Sequence, residues 1–325
     1  MPFRALKRGQ AAVALGIVLL VLLWAGGCAG GVDSNAAGGS TGTTPSVLAA
    51  ESFLADIAQN VAGSRLTVGT LIPRGADPHA FEPTPADVRR VSAAQVFIVN
   101  GAGLEVFLDK LLTGVGGERR VIEASFGLSP RLEDPAGGEP VDSGGHGGSE
   151  VDPHFWLDPV LVETYVANIE RGLAEADPAG AAEYAANAAK YSTELRRLDA
   201  WVRSQVDTVP QARRLLVTDH HSLGYYADRY GFRVVGTLLS SFSTGAAPSA
   251  RQMVDLIAAI KETGAPAIFL AVGTNPQLAE QIGRDAGVRV VTGLYTHSVS
   301  DPKGEAPTYI AMIEYNTRAI VEALR

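Results

Sequence analysis

The sequence predicts an α/β protein of two lobes, each a parallel-type sheet flanked by helices, joined by one long backbone helix. Three observations predict it. The 325 residues exceed the usual length of a single domain, roughly 100 to 200 residues. Short β-rich runs alternate with amphipathic helical patterns on both sides of the middle, which is the spacing of βαβ units and a parallel sheet. Between the two sets, the Ala-rich stretch 178–206 places Tyr184, Ala188, Tyr191, Leu195, Leu198 and Val202 at intervals of three and four. That periodicity marks one helix of roughly 40 Å, long enough to cross a domain.

Five segments follow in order. Residues 1–28 carry Arg4, Lys7 and Arg8, then the apolar run AAVALGIVLLVLLWA, then GGC. This is the pattern of an export signal, and the apolar run is shorter than the ~20 residues a spanning helix needs. Cys28 is the only cysteine, so no disulfide can form within the chain. Its place after Ala25, Gly26 and Gly27 resembles a bacterial lipobox, which makes Cys28 the expected lipidation site and anchor to the membrane surface. The Gly-, Ser- and Thr-rich segment 29–46 then reads as a flexible tether. The body divides into an N-terminal α/β lobe over 47–177, the linking helix over 178–206 and a C-terminal α/β lobe over 207–325.

Within the N-terminal lobe, ESFLADIAQNVAG reads as a helix closed by Gly63 and LTVGTLI as a strand broken by Pro73 and Gly75. Thr84, Pro85 and Asp87 form the N-cap, N1 and N3 positions of the next helix. AQVFIVNG is a strand, GLEVFLDKLL a helix and RRVIEAS a strand, and Asp158 with Pro159 opens another helix. The run DPAGGEPVDSGGHGGSE, rich in Gly and poor in large apolar residues, reads as a mobile loop. In the C-terminal lobe, RRLLVTD, FRVVGTL, APAIFLA and VRVVTG read as strands. SLGYYADRYG, the Ser249-capped PSARQMVDLIAAIKETG, the Asn275-capped NPQLAEQIGRDAG and PTYIAMIEYNTRAIVEAL read as helices.

Composition narrows the function. A formal net charge of -8, with no basic cluster beyond the extreme N-terminus, argues against nucleic acid, whose phosphates demand clustered Lys and Arg. No GxxxxGK[ST] loop is present, so the chain itself should not hydrolyse ATP. The six histidines are the informative residues. His79 lies beyond LTVGTLI, His220 follows RRLLVTD and His297 follows VRVVTG, all past the carboxyl ends of strands, where open α/β sheets bind ligands. His154 leads into the helix opened by Asp158. His79 and His154 share the tripeptide Asp-Pro-His. Four imidazoles from two lobes meeting in one crevice suit tetrahedral Zn²⁺. A lone histidine is more often a surface residue or a satisfied hydrogen-bonder, and His146 among its glycines reads that way. Residues alone leave His220 and its neighbour His221 evenly matched.

The segments GADPHAFEPTPADV, VDPHFWLDP, VTDHHSLGYYADRYGFRVVG, PSARQMVDLIAAIKETGAPAIFLAVGTNPQLAEQI and APTYIAMIEYN together resemble the zinc and manganese receptors of bacterial ABC importers. The likeness runs from Val47 to Arg325. It implies one divalent ion held in the cleft between the lobes, with His79 and His154 as the first two ligands and His220, rather than His221, as the third. At the fourth position the family usually has Asp, and this chain has His297. Nitrogen donors alone favour Zn²⁺, whereas harder Mn²⁺ favours carboxylate oxygen.

The expected function is therefore that of an exported, lipid-anchored, monomeric receptor, periplasmic if the anchor is not used. It would deliver Zn²⁺ to an ABC permease driven by a separate ATPase. Protons should compete for the imidazoles as pH falls through ~6.5. The alternatives are a manganese or iron receptor, or an adhesin, on the same scaffold. A further rival is a secreted zinc hydrolase using three of the histidines, with Glu82 or Asp219 as base and no HExxH motif to support it.

Overall fold

A computed structural model describes residues 44–116, 118–131, 151–239, 241–242, 244 and 248–325. The expected leader, Cys28 and most of the tether lie outside the described residues, as does the loop with His146.

The N-terminal sheet is built from β1 (Val47–Ala49), β2 (Val68–Thr70), β3 (Val96–Val99) and β4 (Arg120–Glu123), all parallel, in the order β2-β1-β3-β4. The C-terminal sheet contains β5 (Leu215–Thr218), β6 (Arg233–Thr237), β7 (Ala267–Ala271) and β8 (Arg289–Leu294), also parallel, in the order β6-β5-β7-β8. The two sheets repeat one topology. In each, the first strand is flanked by the second and third, so strand order reverses there and opens a crevice at the carboxyl edge.

The helices are α1 (Ser52–Ala62), α2 (Pro85–Ala93), α3 (Leu108–Val115), α4 (Val162–Ala176), α5 (Ala181–Val206), α6 (Gly224–Tyr230), α7 (Ala250–Thr263), α8 (Gln277–Ala286) and α9 (Tyr309–Leu324). Local chemistry sets their ends. Thr84 accepts from the Asp87 N–H while Asp87 accepts from the Thr84 N–H, the reciprocal box expected at the start of α2. Ser249 and Gln252 do the same for α7, and Gly231, Gly264 and Gly287 take the left-handed conformation that ends α6, α7 and α8. The long helix α5 packs against α1, α4 and α9. A single hydrophobic core runs through both lobes, from Phe53, Trp156 and Tyr165 to Tyr226, Phe269 and Tyr309.

Several element boundaries differ from the sequence reading. Strand β1 was not among the expected strands: Val-Leu-Ala is too short to show a period, yet it is fully buried at the centre of its sheet. Helix α3 begins at Leu108 rather than near Gly103. Gly101, Ala102 and Gly103 all have positive φ, and three such residues in a row cannot belong to a right-handed helix. Asp158 does not cap α4. Its carboxylate accepts from the Val160 N–H at 2.8 Å in a turn, and the helix starts at Val162. Asn275 likewise accepts from Gln277 N at 3.0 Å, and Pro276 occupies the N-cap of α8. A short 3-10 turn at Pro178–Gly180 precedes α5.

Candidate metal centre

Each candidate histidine sits on a loop at the crevice. His79 lies in a 3-10 turn, Pro78–Ala80, beyond β2. The Asp77 carboxylate accepts from the His79 N–H at 2.9 Å, so Asp and Pro together shape the loop: Pro sets the backbone torsion and Asp ties down the following amide. The same tripeptide works the same way at His154, whose N–H donates to Asp152 Oδ1 at 3.0 Å. His220 follows β5 directly, and His297 follows β8.

These four rings converge. His79 Nε2 lies 3.2 Å from His154 Nε2, His220 Nε2 lies 3.2 Å from His297 Nε2, and His297 Nε2 lies 3.4 Å from His154 Nε2. One nitrogen from each residue falls within 4.8 Å of all the others. A tetrahedron with metal–nitrogen bonds of ~2.0–2.1 Å has edges of about 3.3–3.4 Å. Three of the six separations are close to that length and none exceeds 4.8 Å, so the donor set suits one tetrahedral ion. His154 and His220 are fully buried. Among the described residues no carboxylate belongs to this cluster. His221 stands apart, its Nε2 3.2 Å from Thr237 Oγ1 and its ring against Phe242.

The other ring nitrogens of His154, His220 and His297 are also engaged. His154 Nδ1 is 2.8 Å from Asp152 Oδ1, His220 Nδ1 is 3.0 Å from Asp219 Oδ1, and His297 Nδ1 is 3.0 Å from Thr296 Oγ1. A carboxylate on Nδ1 holds the ring in the tautomer whose Nε2 offers a lone pair. The sequence reading missed this role for Asp152 and Asp219. The signal was present, since three of the four histidines follow an Asp by one or two residues.

Electrostatics favours neutral rings. Burial, then the nearby His220, brings His79 down to about 4. Burial and the neighbouring imidazoles hold His154 and His297 well below the ordinary histidine range. The competition expected near pH 6.5 is thereby displaced for these three, because the pocket already excludes their protons. Burial pushes Asp152 up to about 7. It pushes Asp219 the same way but is outweighed by donors from His220, Ala271 and Thr274, and Asp219 stays below the usual carboxylate range.

The lobes meet around the cluster. Trp156 is fully buried and stacked on Phe53 at 4.5 Å. It donates from Nε1 to the Thr296 carbonyl at 2.7 Å, and its own carbonyl accepts from Tyr309 Oη at 2.7 Å. Gly75 N donates to Ser298 Oγ at 3.1 Å, and Thr244 donates to Asp77. A cavity of about 320 Å³ opens beside His220 and His297, walled by residues of both lobes including Asp77, Thr274 and Ser298. Among the described residues no helix is long and apolar enough to cross a membrane.

Comparison with known proteins adds context. A family model described as zinc-uptake complex component A, periplasmic (ZnuA), matches residues 47–323. The manganese-binding lipoprotein MntA of Halalkalibacterium halodurans is 33% identical over 95% of this chain and 97% of its own. The iron-binding protein YfeA of Yersinia pestis is 30% identical over 83% of each chain. Among solved structures, the periplasmic zinc binding protein TroA from Treponema pallidum superposes with a TM-score of 0.76 at 28% identity, covering 86% of this chain and 99% of that one.

Proposed function

Since the chain belongs to the family of periplasmic zinc-uptake component A proteins, the metal-binding receptors of ABC importers, we propose that its cargo is Zn²⁺. In this reading His79, His154, His220 and His297 hold the ion, and the loaded receptor hands it to a membrane permease. The carrying observation is the cluster of four nitrogens, all within 4.8 Å of one another and three of their separations at 3.2 to 3.4 Å, with no oxygen donor among them. Imidazole suits borderline Zn²⁺, whereas Mn²⁺ is better served by carboxylate. Four protein ligands close the shell, as suits capture; a catalytic zinc keeps a position for water.

The hydrolase alternative finds little support in the carboxylates it would need. Glu82 is exposed. Asp219 already accepts from His220 N, Ala271 N and Thr274 Oγ1 and faces His220 Nδ1 at 3.0 Å, so both of its oxygens are occupied. A manganese or iron cargo is the competing reading, favoured by the names of the MntA and YfeA relatives.

Metal analysis of chain purified without chelator, followed by competition between the two ions, tests the assignment. One Zn²⁺ per chain, not displaced by excess Mn²⁺, is the expected result. Tighter Mn²⁺ binding overturns it. The anchor reading is tested separately: Cys28→Ala should release the chain from the membrane fraction, and a variant that stays there refutes it.

A further inference from the structure

At the end of β5, one carboxylate ties two segments together. Asp219 Oδ1 accepts from its neighbour's backbone, His220 N, at 3.0 Å, and faces His220 Nδ1 at 3.0 Å. Its Oδ2 accepts from Ala271 N and from Thr274 Oγ1, both at 2.9 Å. Ala271 is the last residue of β7 and Thr274 lies in the loop beyond it, so the carboxylate joins the carboxyl ends of β5 and β7 at the reversal point of the C-terminal sheet. It is almost fully buried. His220 N, Ala271 N and Thr274 Oγ1 all donate to it, so it acts there as the anion, accepting only, and His220 Nδ1 opposite it is placed to donate.

We infer that Asp219 is the positioning residue for the C-terminal half of the metal site, holding His220 with Nδ1 protonated and Nε2 bare, and supplying negative charge on the far side of the imidazole from the ion. Two features separate this from ordinary loop packing. The same oxygen that orders the backbone of residue 220 also meets its ring, so main chain and imidazole are aligned by one group. Both oxygens are saturated, so the carboxylate cannot turn into the cluster and become an oxygen ligand. The chain thus keeps a nitrogen-only donor set while retaining an anion beside it. The resemblance places a carboxylate among the ligands, at the position of His297; here the charge sits behind the ring of His220. Asp152 stands in the same relation to His154 but less firmly, since its Oδ2 has no hydrogen-bond partner and Arg131 Nε is 3.8 Å away.

The affinity part of this inference rests on the proposed zinc site; the tautomer part does not. In the metal-free chain, nitrogen-15 NMR of the imidazoles should show His220 protonated at Nδ1, and Asp219→Asn should shift it toward the Nε2-protonated form. An amide cannot accept at both of its ends, so the variant loses either the ring contact or the β7 contacts. Zinc affinity of Asp219→Asn should fall about ten- to a hundredfold, the usual effect of removing an outer partner of a ligating histidine. Spectroscopy on the unaltered chain protects the test if the variant fails to fold. Finding His220 protonated at Nε2 there overturns the inference, as does a variant that binds zinc within about threefold of the parent. If the parent itself binds no zinc, the proposed cargo is wrong while the tautomer result still decides the role of Asp219.

Discussion

Replacing His297 with Ala is the sharpest perturbation of the site, because this residue stands where the resemblance leads one to expect a carboxylate. Its Nε2 makes two of the three short edges of the cluster, 3.2 Å to His220 and 3.4 Å to His154. Removing the imidazole leaves three nitrogens and opens the shell toward the 320 Å³ cavity that His297 lines, so water takes the fourth place. Complete four-ligand zinc sites are worth about 10–16 kcal/mol, or about 2.5–4 kcal/mol per ligand if shared equally. At 1.4 kcal/mol per tenfold, and with water returning part of the loss, affinity should fall about a hundredfold or somewhat more. The assay is competition against a chromogenic zinc chelator at neutral pH, with a thermal melt of the metal-free variant as control. Away from the other three imidazoles, the side chain has a hydrogen bond to Thr296 and a ring contact with Trp156 at 6.1 Å, so the melt should move much less than the affinity. Affinity within about threefold of the parent refutes the four-nitrogen site. His297→Asp extends the test: one oxygen donor should improve Mn²⁺ binding relative to Zn²⁺, and an unchanged ratio would show that donor type does not set the choice.

Two further predictions follow from the same geometry. His79 titrates at about 4 in the fold and near ~6.5 in an unfolded chain, so between those values the unfolded state holds more protons. Metal-free stability should therefore be complete above about pH 6.5 and decline as pH falls toward 4. Denaturant melts of the metal-free chain across that range check it, and a midpoint that does not move between pH 6.5 and pH 4 would contradict the lowered value for His79. Trp156→Phe keeps an aromatic ring against Phe53 but leaves the buried Thr296 carbonyl without its donor, which costs about 1–3 kcal/mol. Melting should drop by roughly 2–4 °C per kcal/mol, and an unchanged midpoint would mean the bond between Trp156 and Thr296 contributes nothing.

Much of this was legible in the sequence because it is local. The box of Thr84 and Asp87, the glycines ending α6 to α8 and the long period of α5 depend on neighbours a few residues away. The strand β1 was not legible, since three buried residues carry no pattern and their role comes from pairing with β2 and β3. The onset of α3 was misread because GLEVFLDKLL has helical periodicity throughout, while the positive φ of residues 101–103 is imposed by the turn after β3. At the site, His79, His220 and His297 could be placed past strand ends from order alone, and His154 ahead of a helix. Their mutual distances arise only when both lobes close over the shared core. The lowered proton affinity of His79, His154 and His297 is likewise a property of burial, invisible in an isolated imidazole.

Trp156 gives the molecule an optical readout. The chain has three tryptophans: Trp24 falls in the expected leader, and Trp201 is half-buried on α5 beneath the Arg318 guanidinium, 5.5 Å from its ring centre. Of the two described tryptophans, Trp156 alone lies against the cluster, 5.1 Å from the His154 ring and 6.1 Å from His297. An ion arriving between those imidazoles changes the field on the indole without changing its solvent. Emission should therefore shift in intensity while its wavelength stays that of a dry core, whereas Trp201 supplies a constant background from the same chain. Loading and unloading can then be followed in real time on the unlabelled protein, on a timescale no equilibrium titration reaches.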